Sequence, residues 1–290
     1  MRGLATEGRA ALCAATISVL TSVLTTVAAW AACPSDDAVK ALAANVLAAV
    51  ASEPLAVTSM EDGLCAQEKL LAILEKRWGK SIGYKAALTS EAAQSNFGVR
   101  EPVRGVLLAD MMLKNGAKLP AKFGALPRYE ADLIVIVADA DINKAKTTKE
   151  VLAHLASVHP FIELPDLVVD APSKLNGPVI ASINAGARYG IVGEALPVEQ
   201  TDAFLAALAD MKVTITDQKG EQLASAPGSA VLGHPLNAVL WLRDSGVTFK
   251  AGDLISVGSI GPLLPPKSGL TATVTYDGLP GNPAIRVSFE

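Results

Sequence analysis

Two carboxylates lie two residues apart in the most apolar strand-like stretch of the sequence. Glu130 and Asp132 belong to the run 128–137, in which the positions that follow are Leu, Ile and Val. Because side chains alternate across a β-strand, both carboxylates would share one face, with their backbones roughly 7 Å apart. Two neighbouring acids repel each other unless a cation neutralises them, and oxygen ligands favour Mg²⁺, Mn²⁺ or Ca²⁺. A solvated strand end that binds no ion is the alternative.

Two further charged residues stand alone in apolar surroundings. Glu163 is the single charge in 160–165, and a buried carboxylate needs a cationic partner or a raised pKa. That partner could be a metal or a Lys or Arg in a structural ion pair. Lys85 is the single charge in 82–88, where it could bind a carboxylate or transfer a proton. The alternative for Lys85 is a surface lysine whose stem lies along the protein.

Other polar candidates are less specific. The segment 258–263 could present backbone N–H groups to an anion or form a plain turn. His234 follows Gly233 at a predicted helix start, where a capping or core histidine is the ordinary interpretation. The sequence shows no Ser-His-Asp or Cys-His arrangement and no glycine-rich phosphate loop. A net charge of −4 without a run of Lys or Arg argues against a nucleic-acid partner.

The elements that must position these residues change along the chain. Ser35 and Ser59 can cap helices that end near Ser52 and Gly79. Beyond residue 80 strand patterns prevail, which predicts an α+β protein with a helical N-terminal region and a β-rich body. Strands are predicted at 82–88, 104–113, 127–137, 161–164, 179–183, 188–193, 211–216, 253–258, 270–276 and 284–289, a hairpin turn at 217–220, and short helices at 89–98, 147–154 and 234–242.

The first 31 residues have the pattern of a targeting segment. Two arginines precede an uncharged stretch from residue 10 to 32, and 29–31 is a small-x-small cleavage pattern. We expect cleavage after Ala31 and export to the periplasm. An N-terminal membrane anchor is the alternative, because the stretch is about long enough to span a bilayer. The mature chain would keep Cys33 and Cys65, which could form a disulfide in an oxidising compartment or remain two free thiols.

Several segments taken together resemble one family. Residues 83–90, 97–99 and 105–111 resemble the lysine-bearing region of the 2-keto-4-pentenoate hydratases, within the fumarylacetoacetate hydrolase superfamily. The likeness continues in order to the end of the chain. Glu130-Ala131-Asp132 resembles the metal-binding strand of that family, 160–166 its third metal carboxylate segment, 231–242 its Gly-His-Pro-Leu helix, and 250–253 and 258–262 its closing strands.

The resemblance implies a mixed β-barrel or roll core in a homo-oligomer. It implies Mg²⁺ or Mn²⁺ held by Glu130, Asp132 and Glu163. The substrate would be a small 2-hydroxydienoic acid or its 2-keto tautomer, to which water adds to give a 4-hydroxy-2-keto acid. The expected division of the chain is a signal peptide at 1–31, a helical region at 32–80 and a catalytic domain at 81–290.

The same resemblance gives roles to three more residues and shows two departures. Lys85 would steer protonation or bind the substrate, and Ser259 and Gly261 would contact it. Asp132 stands where many relatives have Glu. Val103 stands where relatives often carry an Asp that helps proton transfer.

Two other activities are compatible with this pattern. One is a related 2-keto-acid decarboxylase or C–C hydrolase that uses the same metal. The other is an exported protein that binds a keto acid without turnover. A dicarboxylate substrate would need a second cationic anchor near Val103 and Arg104, which distinguishes the decarboxylase from the hydratase.

Overall fold

The computed structural model describes Gly3 and residues 33–290. Apart from Gly3, the predicted signal segment, the alternative anchor and the cleavage position lie outside the described residues. No helix in the range 33–290 is long and apolar enough to cross a membrane. The described helices are α1 Asp36–Ala48, α2 Met60–Trp78, α3 Glu91–Asn96, α4 Thr148–Ala153, α5 Gly177–Ser182, α6 Asp202–Asp210 and α7 Asn237–Asp244.

Strands build two sheets that pack through one large apolar core. The first sheet has the order β2-β1-β11-β5-β6-β7-β3, with β8 paired to β6, and the second has the order β10-β9-β12-β13-β4. Both parallel and antiparallel pairs occur in each sheet, so both are mixed. The strands are β1 Ser81–Ala87, β2 Val103–Leu108, β3 Met112–Lys114, β4 Lys118–Leu119, β5 Glu130–Val137, β6 Leu155–Leu164, β7 Tyr189–Val192, β8 Leu196–Pro197, β9 Lys212–Thr216, β10 Gln222–Pro227, β11 Leu254–Ser256, β12 Thr271–Asp277 and β13 Ala284–Phe289.

The helices α1, α2 and α5 form a layer with its own apolar cluster. Helix α2 begins with a capping box, in which the Ser59 hydroxyl accepts from the Asp62 N–H and the Asp62 carboxylate accepts from the Ser59 N–H. It packs tightly on α5, because a Cβ at Gly63 would lie 2.4 Å from the Pro178 carbonyl oxygen. The predicted α+β class and the predicted start and end of α2 are confirmed.

A disulfide joins Cys33 to Cys65, with 5.6 Å between their Cα atoms. This distance lies within the range that a disulfide spans. A salt bridge of 2.6 Å between Asp36 and Lys69 links α1 to α2 beside it. The disulfide prediction is therefore confirmed, and the two-thiol alternative is wrong.

Several predicted elements need correction. The strand predicted at 179–183 is wrong, because helix α5 occupies this segment, with the Asn176 side chain accepting from the Val179 N–H at 3.0 Å. A short apolar run does not separate a strand from a buried helix by periodicity alone. Helix α6 was not predicted, α7 begins at Asn237 rather than His234, and a 3₁₀ turn at 109–111 divides the predicted strand 104–113 into β2 and β3.

Candidate functional site

Four adjacent strands of the first sheet place the predicted charged residues on one face. Glu130 on β5 is paired in register with Glu163 on β6, and Asp132 lies two residues further along β5. Lys85 on β1 is paired with Ser256 on β11, which neighbours β5. All four charged side chains are buried, at 5% exposure or less. This burial contradicts the solvated strand end and the surface lysine given above as alternatives.

Lys85 is held by one acid and by a strained turn. Its ammonium donates to Glu163 Oε1 and, at 3.1 Å, to the carbonyl oxygen of Ala185. Asn184, Ala185 and Gly186 all have positive φ angles, of 55°, 50° and 68°. Such backbone conformations are costly for non-glycine residues and persist only where surrounding contacts impose them. Glu163 therefore forms an ion pair, as one of the two interpretations predicted, and Lys85 is its partner.

The Asn184 side chain fixes this turn to the sheet. Its Oδ1 accepts from the Val106 N–H at 2.8 Å, and its Nδ2 donates to the Val106 carbonyl at 2.9 Å. These two hydrogen bonds therefore attach the turn to the edge strand β2, which lies beside the strand that carries Lys85. We name the segment 184–186 the lysine-holding turn. The Asn-x-Gly sequence of this segment favours a turn, but no pattern in the sequence predicts that this turn contacts Lys85.

Asp132 is surrounded by hydrogen-bond donors. Its Oδ1 accepts from the Gly258 N–H at 2.9 Å and from the Leu133 N–H at 2.6 Å, and its Oδ2 accepts from the Ser256 hydroxyl. Burial, and then the negative charge of Glu163, raise the pKa of Asp132 to about 7. The predicted anion-binding segment 258–263 thus points its first N–H at a protein carboxylate. Ser256 was not predicted, because a serine in a three-residue strand carries no signal of its own.

Glu130 is buried beside groups of both charges. Desolvation and the charge of Glu163 raise its pKa well above the ordinary value, while Lys85 and the Ser259 hydroxyl lower it. Oε2 of Glu130 and Oε2 of Glu163 have no hydrogen-bond partner in the described structure. Ser259 lies beside Glu130 and donates its hydroxyl hydrogen to the Gly261 carbonyl at 2.6 Å.

The donor atoms suit a hard divalent cation. Three buried carboxylates offer oxygen ligands, and two of their oxygens lack partners, which in a native site calls for an ion, a water or a ligand. Within 33–290 no three His, Cys, Asp or Glu side chains are already gathered as a metal cage. The three carboxylates share one face of the sheet without forming a closed set of ligands, and the Lys85 ammonium lies beside Glu163.

The Tyr276 hydroxyl supports the acidic strands from the second sheet. It lies 2.8 Å from the carbonyl oxygens of Asp132 and Phe161 and accepts from the Phe161 N–H at 3.1 Å. Complete burial raises the pKa of Tyr276, so the phenol stays protonated and donates. This contact fixes β5 and β6 relative to β12. The sequence reasoning missed it, since a tyrosine in a strand is an ordinary core residue.

His234 has a structural role. Its Nδ1 accepts from the Leu236 N–H and its Nε2 lies 3.0 Å from the Leu205 carbonyl, to which it donates. Burial lowers the pKa of His234, in agreement with a neutral ring. The ordinary interpretation, a capping or core histidine, is thus supported in its structural sense, although His234 bonds Leu236, the residue before α7, rather than the first turn of the helix.

Val103 and Arg104 lie on opposite faces of β2. Val103 is fully buried against the helical layer, two residues from Gly105, which is paired with Lys85. Arg104 points the other way, and its Nη1 donates to the Ser245 carbonyl at 2.5 Å. An apolar side chain therefore occupies the position of the expected acid, and the guanidinium is committed to a backbone group away from the acids.

Known proteins were compared with this chain at the level of fold and of sequence. No family model matches. The fold is similar to that of 4-oxalocrotonate decarboxylase from Pseudomonas putida G7, complexed with magnesium and adipate, with a TM-score of 0.74 and 24% identity over 88% of this chain and 98% of that one. The mixed sheets and the helical layer define a fumarylacetoacetate hydrolase-like fold.

Sequence relatives give the family. The chain is 32% identical over 214 residues to the 2-keto-4-pentenoate hydratase of Paraburkholderia phymatum and 30% identical over 252 residues to 2-keto-4-pentenoate hydratase 1 of Dechloromonas aromatica. These alignments cover 72% and 82% of this chain, and 78% and 93% of the two relatives. The chain belongs to the 2-keto-4-pentenoate hydratase family.

Proposed function

We propose that this protein is a hydro-lyase that adds water to a 2-hydroxydienoate, or its 2-keto-4-alkenoate tautomer, and releases a 4-hydroxy-2-keto acid. The observation that carries this proposal is the buried group of Glu130, Asp132, Glu163 and Lys85, in a chain of the hydratase family. Buried acids with a raised pKa, here Glu130 and Asp132, cluster at functional sites, which supports a catalytic role for this group.

We propose Mg²⁺ or Mn²⁺ as the cofactor, with Glu130, Asp132 and Glu163 as its ligands. The two partnerless carboxylate oxygens support this assignment. A bound divalent ion would act as a Lewis acid that stabilises enolate-like negative charge on the substrate.

Residues of the chain itself would bind the substrate and transfer the proton. Lys85 uses two of its three N–H groups on Glu163 and Ala185, so a third remains for the substrate carboxylate or for proton delivery. Ser259 and Gly261 lie beside Glu130, where they can contact the same ligand. With Val103 in the place of the expected acid, Lys85 becomes the proposed proton donor.

The test is hydration of enzymatically generated 2-hydroxypenta-2,4-dienoate by the mature chain from residue 32, followed as loss of the dienol absorbance. We expect turnover with Mg²⁺ or Mn²⁺, none after chelation, and at least a hundredfold loss in Glu130→Gln and Glu163→Gln. Glu199→Gln, which changes an exposed acid, is the matched control and keeps full activity. Metal binding without turnover by the wild type would refute the hydratase and favour a binding protein.

A decarboxylase is the second candidate, and the position of Arg104 argues against it. A dicarboxylate such as 2-oxo-3-hexenedioate needs a cation for its far carboxylate, whereas Arg104 is bound to Ser245 on the opposite face of β2. Incubation with this dicarboxylate is expected to release no CO₂. Metal-dependent CO₂ release faster than dienoate hydration would replace the hydratase proposal.

We also propose that the protein is exported and assembles as a homo-oligomer. The Cys33–Cys65 disulfide supports export, because such bonds persist in oxidising compartments. N-terminal sequencing of periplasmic protein should begin at Ala32, and light scattering should give a mass that is a multiple of the mature chain. Full-length protein retained in the membrane fraction would instead favour the anchor.

A further inference from the structure

A buried hydroxyl just beyond strand β1, the strand of Lys85, has no hydrogen-bond partner in the part of the chain that the structure describes. Thr89 is only 2% exposed, and its Oγ1 is partnerless among the described residues. An unsatisfied buried hydroxyl costs on the order of 1–3 kcal/mol, so such a group in a native site calls for a ligand or water. In the sequence, Thr89 lies at a predicted helix start and within the family-like segment 83–90, with no role in the site assigned to it.

Thr89 is packed against the backbone that holds Asp132. A Cβ built at Gly258 would lie 2.6 Å from Thr89 Oγ1, and Gly258 donates its N–H to Asp132 at 2.9 Å. Only glycine fits at position 258, where φ is 107°. The Thr89 side chain therefore packs on Gly258, whose N–H binds the metal-ligand candidate Asp132.

The backbone around Thr89 is fixed on both sides. The carbonyl of Leu88 accepts from the Gln94 side chain at 3.0 Å, and the carbonyl of Thr89 accepts from the Leu232 N–H at 3.0 Å. Leu232 is held in turn by Asn237, whose Nδ2 donates to the Leu232 carbonyl at 2.9 Å. The turn that precedes α7 thus positions Thr89. This contact gives the Gly-His-Pro-Leu segment a structural role beyond the hydrogen bonds of His234.

We propose that the Thr89 hydroxyl is a substrate-binding group that donates a hydrogen bond to an oxygen of the bound 2-keto or 2-hydroxy acid. This inference rests on the proposed function. Among the described residues, the Glu130 and Glu163 carboxylates leave two oxygens that can only accept, whereas the Thr89 hydroxyl has a hydrogen to donate and no partner for it. A divalent cation on the acids, together with a keto acid whose oxygens reach Thr89 and Lys85, would satisfy all of these groups.

The experiment measures ligand binding separately from turnover. Calorimetry with 2-oxopentanoate and saturating Mg²⁺ would compare the wild type with Thr89→Val, which keeps the shape, and Thr89→Ser, which keeps the hydroxyl. We expect Thr89→Val to bind about tenfold or more weakly, as for a lost hydrogen bond to a charged group, and Thr89→Ser to remain within about threefold. Magnesium affinity should not change, and Thr275→Val, in the second sheet, should behave as wild type.

A second readout excludes a merely structural hydroxyl. Without ligand, Thr89→Val should unfold at the same temperature as the wild type or higher, because a methyl group replaces a partnerless buried hydroxyl. Unchanged 2-oxopentanoate affinity, or a lower unfolding temperature for the ligand-free valine variant, would overturn the inference. A wild type that binds 2-oxopentanoate through Thr89 but does not hydrate the dienoate would refute the proposed reaction and leave the Thr89 assignment supported.

Discussion

Charge balance explains why these particular residues are buried together. If Glu130, Asp132 and Glu163 are all ionised, Lys85 leaves a net charge of −2 in a region with almost no solvent contact. Desolvation penalises such charge, which is why the pKa values of Glu130 and Asp132 are raised. A bound divalent cation would neutralise this net charge of −2.

The raised pKa of Asp132 predicts how the stability of the metal-free protein depends on pH. Its folded-state pKa of about 7 exceeds the ordinary value of 3.8, so between these values the folded state binds more protons than the unfolded state. The stabilisation is therefore complete below pH 4 and is lost as pH rises towards 7. Chelated protein should unfold at a higher temperature at pH 5 than at pH 8 in calorimetry.

The control for this titration is Asp132→Asn, which removes the ionisable group and keeps its shape. Its unfolding temperature should fall less between pH 5 and pH 8 than that of the wild type, and the remaining fall reports other groups with a raised pKa, such as Glu130. Saturating Mg²⁺ should reverse the wild-type trend, because the metal binds ionised carboxylates. A metal-free wild type that becomes more stable from pH 5 to pH 8 would contradict the predicted direction.

At the scale of elements, the lysine-holding turn is expected to contribute to both stability and activity. Asn184→Ala removes both hydrogen bonds to Val106 and makes the positive φ of 55° less favourable. We expect a loss of about 2 kcal/mol in the free energy of unfolding and at least a tenfold fall in kcat, because the Ala185 carbonyl would no longer hold Lys85. Urea unfolding and dienol turnover measure the two effects.

Asn143 provides a matched control for this variant. Its side chain bonds to both backbone groups of one residue, Phe249, at 2.9 Å, as that of Asn184 does to Val106. Asn143→Ala should therefore cost a similar amount of stability and leave kcat unchanged. Equal kcat in the two variants would show that the lysine-holding turn has no role in activity.

The sequence predicted those parts of the site whose signals are local. The Ser59 and Gly79 caps, most of the strand segments and the shared face of Glu130 and Asp132 follow from spacing and periodicity. The contacts of Lys85 with Ala185 and of Asp132 with Ser256 join residues 100 and 124 positions apart, and no local pattern encodes them. Helix α5 was misread for a related reason, since buried on most sides it shows no polar face.

For the whole molecule, buried Arg188 joins the helical layer to the sheet. Its Nη1 donates to the carbonyl of Val46 in α1, its Nε donates to the carbonyl of Phe123, and its guanidinium lies 5.7 Å from the centre of the Trp78 ring. Arg188 directly precedes β7, the strand paired with the Glu163 strand. The N-terminal helices are therefore fastened to the sheet that carries the acids, and their stability bears on the site as a whole.

The Cys33–Cys65 disulfide should determine how stable this helical layer is. It closes a loop with a sequence separation of 32, for which the chain-entropy model gives roughly 3–4 kcal/mol of stabilisation. Both cysteines are partly exposed, so dithiothreitol can reach them. We expect reduced mature chain and the Cys33→Ser/Cys65→Ser variant to unfold at lower urea concentrations than the oxidised protein.

Dienol hydration in dilute buffer at 25 °C should persist, because the cysteines lie in the helical layer and the acids on the sheet. Dithiothreitol should not shift the double variant, and identical urea midpoints for oxidised and reduced wild type would show that the bond does not stabilise the fold.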